Sequence, residues 1–168
     1  AGTGVKGRGV ARVAPPYRAR LDLFLDNGEL VIKAALVDGD LRIPAGAPDD
    51  ILPPPDLMWG TLGVFRPDLG TELLGGDRLD NGLVRPRYRY LDETELHYSM
   101  EDGVLRKLEM LSDGDVVQWV EVDRDRESQY PAQATYRNLT DFRELKITRQ
   151  QLDEVDAYPL DIWDPRAP

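Results

Sequence analysis

The chain has no cysteine. That removes disulfides, thiol catalysis and thiolate metal sites together, and it leaves the compartment open, because oxidising and reducing spaces both hold cysteine-free proteins. Histidine is almost as scarce, with His97 alone among 168 residues. A zinc site would then need three carboxylates, an unusual set for that metal. No run approaches the roughly 18–20 apolar residues of a membrane-spanning helix. Positive charge is also in deficit: 21 Lys and Arg against 31 Asp and Glu give a formal charge of −10. Nucleic-acid binding needs a basic field, so this balance argues against it. It argues equally against electrostatic docking on an anionic bilayer. The sequence begins without a start methionine or signal peptide and reads as a processed or trimmed fragment.

What is present is the composition of a soluble globular protein, 41% hydrophobic and 31% charged. Its length fits one domain, residues 1–168, large enough to bury about two-thirds of the surface of the unfolded chain. One stretch stands apart from the rest. In Pro53-Pro-Pro-Asp-Leu-Met-Trp-Gly-Thr-Leu-Gly-Val-Phe-Arg-Pro67, apolar side chains fall on most sides of a short helix. Prolines suit its entry, Asp56 can cap it and Pro67 ends it. A helix apolar nearly all round must be buried, either as ordinary core or as a plug in something apolar.

Elsewhere the chain alternates apolar and polar residues. Tyr17, Ala19, Leu21, Leu23 and Leu25 share one face of a strand, with Arg18, Arg20, Asp22 and Asp26 on the other. Asn27-Gly28 is a hairpin signal, and Leu30, Ile32, Ala34 and Leu36 return on the partner strand. Asp38-Gly39 turns the chain into Leu41–Ile43, completing an antiparallel meander with an aliphatic inner face. A proline-rich loop, residues 45–55, leads to the apolar helix. The glycine-broken segment 68–76 follows it and carries Leu73 and Leu74. From Leu83 the alternation resumes through residues 83–90, 96–100, 108–110, 116–122, 130–136 and 142–148, with turns at Asp102-Gly103 and Asp113-Gly114. Short strands with repeated Asx-Gly turns indicate an all-β sandwich or barrel. The tail, Tyr158–Pro165, is too proline-rich for a regular element, and its Leu160, Ile162 and Trp163 are expected to pack back on the body.

Few motifs carry chemistry. Gly2-Thr-Gly4-Val-Lys-Gly7 spells a dinucleotide fingerprint but has no strand before it and no helix after it. Ser99, Ser112 and Ser128 lie outside any nucleophile-elbow context, and His97 points outward from its strand by alternation. The loop at residues 123–127 alternates its charge signs and lacks the ligand ladder and glycine of a calcium loop. Asn138-Leu-Thr140 spells a glycosylation acceptor, which matters only in a eukaryotic secreted protein. Arg85, Arg87 and Arg89 form a row that either holds a lipid phosphate at a cavity mouth or is the wet face of a strand. A half-open barrel closed by the apolar helix would instead form a deep apolar cavity, suited to an acyl chain.

The order of these segments resembles the bacterial lipoprotein localisation factor A and B superfamily of envelope carriers. The resemblance rests on Gly7-Arg-Gly-Val-Ala-Arg-Val13 leading into the strand at 17–25, and on the 57–65 helix after the meander. It continues in Tyr130-Pro-Ala-Gln-Ala-Thr-Tyr136 before Phe142-Arg-Glu-Leu-Lys-Ile-Thr148. It covers most of residues 6–155 and leaves 156–168 as a tail. It implies an incomplete antiparallel barrel around helices, an acyl-chain cavity and a periplasmic location, with many relatives tethered through a lipidated N-terminal cysteine. The sequence departs from that pattern in having no cysteine at its start. Its tight 37–41 turn also leaves no room for the protruding leucine loop of the membrane-bound acceptor branch.

The sequence therefore predicts an all-β dominated incomplete barrel enclosing a short apolar helix. The function expected is non-enzymatic binding of a lipid or acylated protein in a bacterial envelope, with no cofactor and no metal. The expected cavity residues are Leu21, Leu23, Leu25, Leu30, Ile32, Leu57, Trp59, Leu62 and Phe65. The alternative is a structural subunit of an envelope assembly with a filled barrel, contacting partners or membrane through Leu73, Leu74, Ile162 and Trp163. A carboxylate-based hydrolase would need two acids facing each other across a polar cleft.

Overall fold

The computed structural model describes residues 4, 6–47, 51–125 and 128–165. Parts of three sequence readings lie outside the described residues: Gly2, Thr3 and Val5 of the first glycine motif, residues 48–50 of the proline-rich loop, and Arg126 and Glu127 of the acidic loop. Among these residues the protein is mostly β, built as two open antiparallel sheets with one short α-helix. It divides into two compact units, Ala1–Pro55 with Asp153–Pro168, and Asp56–Leu152.

The first unit holds a four-stranded meander in chain order: β1 (Gly7–Ala14), β2 (Arg18–Leu25), β3 (Leu30–Val37) and β4 (Asp40–Arg42). On one face Ala19, Leu21, Ile32, Ala34 and Leu36 are buried, as the alternation requires. The other face is not simply wet. Asp22 is buried there between Arg12 and Arg20, at 2.8 and 3.0 Å. A 3-10 turn at Leu160–Trp163 covers part of this face, and the Arg20 guanidinium donates to the Ile162 carbonyl at 2.7 Å. Tyr158 meets Trp163 edge to face at 5.4 Å between ring centroids.

The second unit is a seven-stranded antiparallel sheet: β5 (Glu72–Arg78), β6 (Leu83–Arg89), β7 (Glu95–Glu101), β8 (Val104–Ser112), β9 (Asp115–Asp123), β10 (Gln133–Asn138) and β11 (Arg143–Thr148). Each strand pairs with its neighbour in sequence, and β5 and β11 remain as unjoined edges. Among the described residues the sheet is not closed, as expected of a half-barrel. β5 corrects the sequence reading of 68–76 as an irregular segment. Its glycines lie beside β6, and Leu74 is the extra residue where the β5–β6 register shifts.

The two faces of this sheet follow from the register. Tyr98, Leu108, Val120, Tyr136 and Leu145 stand opposite one another across five strands and form the apolar face. Arg87, His97, Glu109, Trp119, Arg137 and Glu144 form the matching outer row. Trp119 lies between two cations there, with Lys107 Nζ 5.8 Å and Arg137 Cζ 5.5 Å from its ring centroid. The helix α1 (Pro55–Thr61) belongs to the apolar face, where Leu57 joins the core formed by Leu96, Tyr98, Leu105, Leu108, Val120 and Val122.

Candidate functional site

The apolar helix and the face it rests on are the most distinctive feature of the second unit. Pro55 opens α1, a position that tolerates a missing N–H and favours the fixed φ of proline. Asp56 therefore lies inside the first turn, where the sequence reading had it as a cap. The helix is also shorter than its apolar run. Gly63 takes φ +73° and ends it, with Gly63 N–H donating to the Gly60 carbonyl at 2.9 Å and Val64 N–H to the Trp59 carbonyl at 3.0 Å. This is a Schellman stop, four residues before Pro67. Arg124 donates to the Gly63 carbonyl at 2.9 Å and fixes the stop against the loop after β9.

Leu57 and Trp59 are wholly buried, and Met58 nearly so. Gly60 allows close approach to the sheet: a Cβ there would lie 3.4 Å from Leu108 and 3.7 Å from Val120. Beyond the stop, the Phe65 ring meets Tyr98 edge to face at 4.8 Å, and Tyr98 meets Tyr88 in the same way at 5.7 Å. Phe65 is 38% exposed, so this aromatic wall reaches the surface at one side.

Two polar features interrupt the apolar face. The Tyr90 hydroxyl donates to the Asp56 carboxylate, while the Tyr98 hydroxyl is buried without a hydrogen-bond partner among the described residues. Burial raises the Asp56 carboxyl above its usual range, and the nearby Asp68 charge adds to that, against the lowering effect of the Tyr90 hydrogen bond. Burial likewise pushes both Tyr90 and Tyr98 upward, and the Asp56 charge reinforces it. All three acids are held toward their neutral forms, as burial in apolar surroundings dictates. Asp68 turns into its own loop, accepting from Gly70 N–H at 2.7 Å.

The nine residues expected along one cavity divide between the two units. On the first sheet Leu21 and Ile32 are buried and Leu23 and Leu25 half-buried. Leu30 is 39% exposed and corrects its placement on the inner face. A register shift pairs Leu23 with Ile32 but Phe24 with Leu30, leaving Val31 as the extra residue of a bulge. Leu30 thereby falls on the opposite face from Ile32. In the second unit Leu57 and Trp59 are buried, Leu62 is half-buried at the helix end and Phe65 lies at the rim.

Of the expected contact residues, Leu73 is 59% exposed on the edge strand β5, and Leu74 is half-buried at the bulge. Trp163 corrects its assignment as a partner contact: it is 5% exposed, because the chain's own tail folds it onto the first unit. Ile162 is half-buried, and its carbonyl is held by Arg20. Leu160, expected to pack back with them, is 77% exposed.

The arginine row lies on the outer face of β6, and Arg89 is already paired with Glu95 at 3.2 Å. Glu95 also contacts His97 Nε2 at 2.7 Å, and that hydrogen bond, with Arg89, holds its carboxyl below the usual range. Among the described residues, no group of three His, Asp or Glu side chains could hold a metal ion, and no helix is long and apolar enough to cross a membrane.

Sequence reasoning missed the Asp56–Tyr90 pair and the burial of Asp22. The available signals were an acid wedged between prolines and an apolar run, and one aspartate facing an excess of arginines at 12, 18 and 20. Compared with protein-family models, curated proteins and solved structures, the chain matches none of them.

Proposed function

We propose that this chain is a non-enzymatic binding component of a bacterial cell envelope, of the lipoprotein-carrier type. Its ligand is the acyl chain of a lipid or an acylated protein, received on the apolar face of the seven-stranded sheet. The observation that carries the reading is the seating of α1. A helix with wholly buried Leu57 and Trp59 occupies the middle of an open antiparallel sheet, tied at its first turn by Tyr90 and the Asp68 backbone and at its end by Arg124. An acyl chain taking its place would exchange one set of apolar contacts for another, each worth roughly 25 cal/mol per Å² buried. The exchange is then close to neutral, as reversible carriage requires. Phe65, at the exposed end of the aromatic wall, marks the side of entry. On this reading the chain works in the periplasm.

A second reading, a structural subunit of an envelope assembly, is favoured by how completely α1 fills its seat. In that case the exposed Leu73 on the β5 edge is a partner contact. Native mass spectrometry of the purified protein, followed by organic extraction, separates the two. A co-purifying acyl species at fixed stoichiometry is the result expected of a carrier. A clean apo mass that stays unchanged with added lipids and lipopeptides would overturn that reading in favour of the subunit. Leu62→Glu adds a check at the helix end: loss of the lipid from a folded protein marks a cavity, whereas unfolding marks plain core.

A further inference from the structure

The first unit has a cleft that involves none of the acyl-chain residues. It measures about 370 Å³ and is lined by Tyr17, Arg18, Val37 and Arg42 from the meander and by Leu160 and Trp163 from the tail, with Asp38 beside them. The register places Arg18 and Val37 directly opposite each other on β2 and β3, and Arg42 opposite Ala35 on the same face. Tyr17 and Leu160 are 62% and 77% exposed, a large apolar area to leave in water on both sides of a cleft floored by buried Trp163.

The charges in the cleft are unequal in kind. Arg42 is held by Asp40 at 3.0 Å. Arg18 is half-buried and has no hydrogen-bond or ion-pair partner among the described residues, although its neighbour Arg20 is fully engaged with Asp22 and Ile162. A guanidinium left unpaired within a cleft presents a planar fork that fits a carboxylate through two parallel hydrogen bonds.

We propose that this cleft binds a small amphipathic monocarboxylate, with the carboxylate on Arg18 and the apolar body between Tyr17, Leu160 and Trp163. A dianion such as a phosphate monoester suits it less, because Arg18 is a single cation and the second cation of the cleft, Arg42, is already held by Asp40. The volume lies at the lower end of the range for small-molecule sites, which points to a short acid or one terminal residue of a peptide.

The test follows the indole N–H signals of the three tryptophans by heteronuclear NMR, using the whole chain. Octanoate and N-acetylphenylalanine are the probes, representing a free fatty acid and a chain terminus, with octanamide and N-acetylphenylalanine amide as neutral controls. The Trp163 signal is expected to shift with at least one acid and not with its amide, while Trp119 stays still; a Trp59 shift, with acid and amide alike, reports acyl-chain uptake at α1 and is scored separately. Which acid shifts it identifies the source. Arg18→Gln should weaken binding about ten- to hundredfold, the usual loss for a charge-assisted hydrogen bond. Leu160→Ser, at a side chain too exposed to support the fold, should weaken it less. Equal Trp163 shifts with acid and amide, an unchanged affinity in Arg18→Gln, or no Trp163 shift with either millimolar acid would each overturn the proposal.

Discussion

The Tyr90 hydroxyl donates to the carboxylate of Asp56, linking the end of β6 to the first turn of α1 inside a largely apolar face. The pair has a pH signature. Burial raises the folded-state pKa of Asp56 above its ordinary 3.8, so the folded chain keeps this proton to higher pH than the unfolded chain. Stability from this group is therefore greatest below about 3.8 and falls as pH rises through the window up to the raised value. Asp56→Asn should remove that slope while keeping an oxygen to accept from Tyr90. Urea midpoints measured from pH 4 to 8 should show the variant gaining on the parent as pH rises, and parallel curves would refute it.

Tyr90→Phe probes the other partner. It takes from a buried carboxylate its hydroxyl donor and leaves the Asp68 backbone, a loss of roughly 1.5–3 kcal/mol for a charged acceptor. Because the hydrogen bond also lowers the Asp56 pKa, its loss should be felt more at pH 7 than at pH 4. An equal loss at both pH values, measured by the same urea titrations, would show that the hydroxyl acts by packing alone.

Gly63 is the residue that stops α1, and it is constrained twice. Its φ of +73° disfavours any side chain, and a Cβ there would stand 2.7 Å from Pro131 Cδ. Gly63→Ala should therefore cost about 1–2 kcal/mol for the left-handed backbone and about 1–3 kcal/mol more for overpacking. Gly28→Ala is the control, since Gly28 has φ +87° and open space around it. Equal losses in denaturant melts would show that the loop holding Pro131 moves aside without cost.

The strands were legible in the sequence because their signals are local. Asp102-Gly103 and Asp113-Gly114 join hairpins with positive φ at both residues, as a two-residue primed turn demands. The alternation between them fixed which side chains face the core. What escaped depends on neighbours distant in sequence. Val31 becomes a bulge only in register with Leu23 and Phe24, and that single residue turned Leu30 outward. β5 escaped because Gly75 and Gly76 read as breakers, although beside β6 they are edge positions. Asp22 alternated correctly onto the polar face, but nothing local announced that the tail at 160–163 would cover part of it. The apolar helix was read from its composition, and its true end at Gly63 needed only the glycine to outweigh the later proline.

The outer face of the larger sheet offers an independent check on energetics. Trp119 on β9 is flanked by Lys107 on β8 and Arg137 on β10. Each exposed cation–π contact contributes about 0.5–1 kcal/mol. In a double-mutant cycle, Lys107→Ala should show coupling of that size to Trp119→Ala. Zero coupling would mean that the ring lies between the cations without being stabilised by them.

Asp22 and Arg20 together decide how the tail is held. Asp22 accepts from Arg12 at 2.8 Å and from Arg20 Nε and Nη2 at 3.0 Å, and Arg20 Nη1 passes the link to the Ile162 carbonyl at 2.7 Å. Asp22→Ala strips a buried acid from two arginines and should cost about 3–5 kcal/mol, the usual penalty for breaking a buried pair from one side. Arg20→Ala leaves Asp22 paired with Arg12 and should cost less globally, about 1–3 kcal/mol. Its larger effect should be local: with the Ile162 carbonyl unheld, amides 160–164 should exchange faster and Trp163 fluorescence should shift to the red. If Arg20→Ala leaves both readouts unchanged, the buried Trp163 ring alone anchors the tail, and the arginine serves only to neutralise Asp22.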